Sequence, residues 1–184
     1  MNIGFISLLG LSFIAIVPGD IKTRHTNLKC EIRDFSYVEV KICRLKVLGR
    51  GKIGATVNLK LLKLPIKAIS VNFSVFKKLS GYHPFLFNVT VDLCHFLKHP
   101  NRFHVFYYFY GAMKPFMNMN HSCPLNVSIL KTIHDFILKD FVLSDQMFSK
   151  IPVPVGSYMF LITFITENVV RGTITSYLDI NVDN

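Results

Sequence analysis

The chain has no tryptophan, and 17% of its residues are charged, against roughly a quarter in an ordinary soluble domain. It also lacks the short patterns that carry common chemistries. There is no G-x-S-x-G elbow, no H-E-x-x-H helix, and no local pairing of its seven histidines with its eleven carboxylates. These absences argue for a non-enzymatic protein without a resident metal or cofactor. No polar linker, low-complexity tract or internal repeat interrupts the 184 residues, a length that suits one domain. Acidic side chains are missing from Val40 to Val91, whereas ten basic ones fall there. That stretch (Lys41, Arg44, Lys46, Arg50, Lys52, Lys60, Lys63, Lys67, Lys77 and Lys78) supplies the whole net charge of +10. An anionic surface, a receptor or an acidic headgroup would be attracted to it. The alternative is a set of solvated strand faces whose lysines discourage edge pairing. Nucleic acid is a poor partner for a chain without a basic tail or reader motif.

Apolar residues are plentiful. They make up 51% of the chain, including 17 Phe, which is enough for a sizeable core and excludes intrinsic disorder. One uncharged run, Ile3 to Val17, precedes Pro18-Gly19-Asp20. Fifteen residues are short for a hydrocarbon core, which needs about 20. Residues 1–19 therefore read as a signal peptide, with a signal anchor as the alternative, and residues 20–184 as the exported domain. Two further features point to an extracellular, secreted protein. Four glycosylation sequons begin at Asn72, Asn88, Asn120 and Asn126. The four cysteines, Cys30, Cys43, Cys94 and Cys123, suit two disulfides. Of three connectivities, Cys30–Cys43 with Cys94–Cys123 closes the shortest loops.

The dominant periodicity is two. Along Ile69–Val75, and again along Phe85–Leu93, apolar and polar residues alternate, so their side chains point to opposite faces of a strand. Asn72 and Asn88 both fall on the polar face. Further strands are expected at 28–32, 37–47, 56–62, 157–166 and 172–182, rich in β-branched and aromatic residues. Ser157–Thr166 is apolar on both faces, which suits a central strand or one facing a lipid-like interior. Residues 101–117 lack alternation and begin with Asn after Pro100, as a helix would, and Lys131–Lys139 is ambiguous. The pattern predicts a mostly β protein, an antiparallel β-sandwich with one helical insertion near 101–117. Gly49-Arg50-Gly51-Lys52-Ile53-Gly54 matches G-x-G-x-x-G, but a strand pattern follows it and no acidic ribose partner lies about 20 residues on. It reads as a hairpin turn. Cys94, His95, His99, His121 and Cys123 can be grouped into a zinc site, though a disulfide is the commoner fate of exported cysteines.

Three segments carry a resemblance. Gly81-Tyr82-His83-Pro84-Phe85-Leu86-Phe87-Asn88-Val89-Thr90-Val91-Asp92-Leu93-Cys94-His95-Phe96 resembles the signature of a Drosophila family of secreted proteins known by its domain of unknown function, number 1091. Asn118–Pro124 and Pro152–Tyr158 resemble its second and third signatures, and the likeness runs from Cys30 to Ile180. Leu125-Asn126-Val127-Ser128 departs from it. The family is distantly similar to insect chemosensory CheB proteins and to ganglioside-activator and ML-type lipid-recognition domains. This resemblance implies an ML-like or immunoglobulin-like sandwich that holds a lipid between two sheets, possessing a chemosensory role by analogy. Inward aromatics of splayed sheets would then wall a cavity, whereas closed sheets would make of them a dry core. The candidate wall residues are Val71, Phe73, Val75, Phe85, Phe87, Val89, Val91, Phe160, Ile162 and Phe164. A carrier for a small lipid-like or other apolar ligand is the leading expectation. An extracellular protein-interaction module or receptor cofactor with a solid core is the alternative.

Overall fold

The computed structural model describes residues 21–119, 123, 135–144, 147–148 and 153–182. The proposed signal peptide, Asn120, Asn126 and His121 lie outside them. Among the described residues eight strands form two antiparallel sheets: β1 (Ile21–Ile32), β2 (Val38–Gly49), β3 (Lys52–Leu61), β4 (Ser70–Lys78), β5 (Tyr82–Asp92), β6 (Asp135–Val142), β7 (Gly156–Thr166) and β8 (Val169–Val182). The larger sheet has the order β1-β8-β7-β4-β5 and the smaller β2-β3-β6. The chain is thus a β-sandwich, as its alternation predicts, and β7 is the central strand of the larger sheet.

Local chemistry explains most of the boundaries. β2 and β3 join through Arg50-Gly51, with Gly51 at φ 71°, a left-handed conformation glycine adopts without steric cost. The G-x-G-x-x-G match is therefore a hairpin. β7 and β8 join through Glu167-Asn168, both at positive φ (52° and 59°), the geometry of a turn whose twist matches its flanking strands. The Arg171 guanidinium holds that turn by donating to Glu167 at 2.9 Å. Residues 131–139, ambiguous by pattern, contain the start of β6, which is a strand from Asp135.

The helical insertion differs in detail from expectation. Helix α1 (Leu93–Lys98) starts where the alternating run ends, because the Asp92 carboxylate accepts from the His95 backbone N–H and caps it. Helix α2 spans Val105–Met113, four residues later than the Asn101 start suggests. Asn101 instead makes a turn, its side chain accepting from Phe103 N–H at 3.0 Å, and the His104 ring caps the helix. A single 3-10 turn, Lys114–Phe116, ends the insertion.

Two disulfides brace the fold. Cys30–Cys43 ties β1 to β2, one sheet to the other, and Cys94–Cys123 anchors α1. Both sulfurs of the paper zinc site are thereby consumed. Among the described residues no helix is long and apolar enough to cross a membrane.

Candidate ligand site between the sheets

The inner face of the larger sheet meets two kinds of neighbour. At one side, Val71, Phe73 and Val75 of β4 are each 3% exposed. Phe85, Phe87, Val89 and Val91 of the edge strand β5 lie beside them and are partly buried. Here α1 and α2 supply the cover. Phe73 sits at the centre of a ring cluster, its centroid 4.9 Å from Phe109, 5.6 Å from Phe87, 5.7 Å from Phe160 and 6.5 Å from Phe106. Such contacts are those of a dry aromatic core.

Further along, β7, β8 and β1 face the three-stranded sheet, and packing is incomplete. Phe160, Ile162 and Phe164 point inward from the central strand, yet all three are only half-buried. They border two cavities of about 60 Å³ each. The first is lined by Phe164 with Tyr37, Ile66, Phe136 and Arg171. The second is lined by Phe73, Phe160 and Ile162 with His25, Phe141 and Ser176. Ile174 borders both. Of the ten residues proposed from sequence, Phe73, Phe160, Ile162 and Phe164 touch a cavity. Val71, Val75, Phe85, Phe87, Val89 and Val91 line neither; Phe87 packs on Phe109 of α2 and Phe85 on Tyr158.

One edge of the first cavity carries Arg171, whose guanidinium is paired on all sides. Arg171 donates to Asp34 at 2.6 Å, to Thr166 at 2.8 Å and to Glu167, and its guanidinium lies 4.2 Å from the Tyr37 ring centroid. The Ser36 hydroxyl, and after it Arg171, hold the Asp34 carboxyl below the usual carboxylate range. Among the described residues the second cavity has two polar side chains in its wall, His25 and Ser176, hydrogen-bonded through Nδ1 and Oγ at 3.1 Å. Burial pushes the His25 pKa down from 6.5 to about 4, against a smaller opposing effect of the Phe141 backbone.

Sequence reasoning missed His25, Ser176, Ile174 and Phe136. The wall contributed by the smaller sheet depends on pairing β3 with β6, whose partners lie about 80 residues apart, as Val57 opposite Leu138. None of the ten basic residues from Lys41 to Lys78 lines either cavity. Asn72 and Asn88 stand on the opposite, outer face. Asn72 Nδ2 donates to Asn88 Oδ1 at 2.7 Å and to Thr90 Oγ1 at 2.9 Å.

Fold and interior together define a disulfide-braced antiparallel β-sandwich with apolar space between its sheets. Residues 71–160 match the model of a family described as a protein of unknown function, DUF1091. The match runs from β4 into β7, narrower than the Cys30–Ile180 likeness, and leaves β1, β2, β3 and β8 outside it. No curated protein matches the chain.

Proposed function

We propose that the protein is an extracellular, non-enzymatic binding protein for a small apolar molecule held between its sheets. One observation carries this reading: the inward side chains of the central strand, Phe160, Ile162 and Phe164, stay half-buried between two layers and border voids. In a filled sandwich that position is the most thoroughly buried of all. The volumes limit the ligand. Each cavity is under half the roughly 150 Å³ that admits benzene, and ligand pockets usually exceed about 300 Å³. A slim chain running past Ile174 fits the geometry better than a bulky ring system, and a larger ligand requires the sheets to part. Secretion is supported by the two disulfides, the sequons on the outer sheet face and the apolar N-terminal run. The resemblance to CheB and ML-type proteins points the same way, at the level of fold alone.

The test is native mass spectrometry of the full chain secreted from eukaryotic cells, before and after organic extraction. A bound mass released by extraction is expected, and its loss in Ile174→Phe. Only apo mass in both samples overturns the reading.

A second reading, contact with an anionic surface, is favoured by the β2–β3 hairpin. Its tip exposes Val47 (72%) and Leu48 (40%) between Lys46 and Arg50. Binding to anionic but not neutral vesicles, weakened by salt, is the expected result.

A further inference from the structure

The second cavity contains one polar feature that packing does not explain. In β1 the inward positions run Ile32, Cys30, Leu28, and strict alternation would bring Thr26 next. The register against β8 slips between His25 and Asn27, so Thr26 and Asn27 both stay exposed and the imidazole of His25 turns inward. A bulge that redirects one side chain is a recurrent device beside functional sites. Here it places His25, 2% exposed, in an otherwise apolar wall. Ser176 on β8 holds Nδ1, while the ring stands edge-on to Phe141 at 5.7 Å. Nε2 is buried and makes no well-formed hydrogen bond among the described residues; the Phe141 backbone lies close enough to the ring to favour its protonated form, but outside that geometry. A buried polar atom left unpaired calls for a partner.

We propose that His25 Nε2 is the docking point for the single polar head of the ligand, a neutral hydroxyl or carbonyl on an otherwise apolar chain. This rests on the apolar-ligand reading above and specifies its chemistry. With its pKa pushed down to about 4, the ring is neutral near pH 7 and presents a donor or an acceptor rather than a charge. Among the described residues no lysine or arginine lines this cavity, so a carboxylate head would enter without a cation from them to offset its desolvation. Ser176 is a positioning residue, since it reaches the ring through Nδ1 and leaves Nε2 toward the ligand.

The experiment is an NMR titration of the full chain, labelled with ¹⁵N at histidine, using hexan-1-ol, hexane and hexanoate at pH 7. Hexan-1-ol is expected to move the His25 Nε2 resonance, and hexane to bind without moving it. Affinity for the alcohol falls about fivefold in His25→Phe while that for hexane is unchanged, the scale of one net hydrogen bond. Hexanoate binds more weakly than the alcohol. Equal alcohol and alkane affinities in both proteins, with Nε2 unmoved, overturn the proposal but leave the apolar-ligand reading standing. No binding of any probe overturns both. If His25→Phe does not fold, the wild-type Nε2 response and the alcohol affinity of Ser176→Ala decide the matter.

Discussion

Two stretches of one sheet face present similar inward residues and meet different ends. On β4, Val71 and Val75 are sealed and Phe73 is buried at the edge of the second cavity, and on β7, Phe160, Ile162 and Phe164 keep accessible surface. The inward residues differ little in hydrophobicity, although β4 alternates and β7 is apolar on both faces. The difference lies across the gap. Over β4 and β5 lie two short helices whose Phe106 and Phe109 reach the sheet, and rings fill irregular space well. Over β7 and β8 lies chiefly a second sheet, whose spacing is fixed by its own backbone and by the Cys30–Cys43 bridge, and α2 reaches only as far as Phe160, where Phe109 stands 5.6 Å away. A sheet cannot settle locally onto its neighbour as a helix can. Voids persist where two such surfaces fit imperfectly.

Truncation tests this contrast most directly. Phe73→Ala removes a ring with four aromatic neighbours and is expected to cost about 3–5 kcal/mol in urea denaturation. Phe164→Ala removes a ring that is only half-buried and faces Phe136 across the gap, and is expected to cost less than half as much. Equal losses would mean that both regions are packed alike.

Acidification probes the open side alone. The folded pKa of His25, about 4, lies below the unfolded value near 6.5, so the unfolded chain binds the extra proton first. Stability from the neutral ring is complete above pH 6.5 and is lost as pH falls toward 4, by up to about 3 kcal/mol. Among the described residues no other titratable side chain lines that cavity: β8 presents Ser176 and Leu178, the smaller sheet Ala55, Val57, Leu138 and Phe141, and α2 Phe109 and Met113. His25→Phe is therefore expected to show a shallower fall across this window than wild type. Parallel curves would remove His25 as the source.

Enlargement should separate the two regions with opposite outcomes. Val71→Phe forces a ring into a sealed position and is expected to cost about 1–3 kcal/mol. At Ile162 the same ring enters existing space, so Ile162→Phe should leave the melting temperature nearly unchanged. A melting scan of both variants reads the difference, and a similar loss in each would show that the void is not usable volume.

β4 and β5 were legible because alternation is a local property, and β7 and β8 because β-branched and aromatic residues crowd them. β4, β5, β7 and β8 lie close to their expected limits, and the two sequons on β4 and β5 fall on the solvent face as the period requires. The disulfides followed from loop length. What alternation could not supply was the opposing surface. Six of the ten proposed wall residues border neither cavity, and α1 was hidden because Asp92 reads equally as a strand end and as a helix cap. His25 was hidden for a sharper reason. A single extra residue at Thr26 reverses the parity of β1, and nothing in H-T-N announces a bulge.

The outer face offers the mildest test, because its contacts compete with water. Asn72 donates to both Asn88 and Thr90 and accepts from the Ser74 hydroxyl at 2.9 Å, which links β4 to the edge strand. Exchanging such bonds for water leaves a small balance, so Asn72→Ala is expected to cost about 0.5–1.5 kcal/mol in the same denaturation assay. That is well below Phe73→Ala, one residue along the same strand and on the opposite face. A loss as large as the phenylalanine's would mean that the outer face is covered by another surface. The contrast between the two sides of β4 would then need a third layer to explain it.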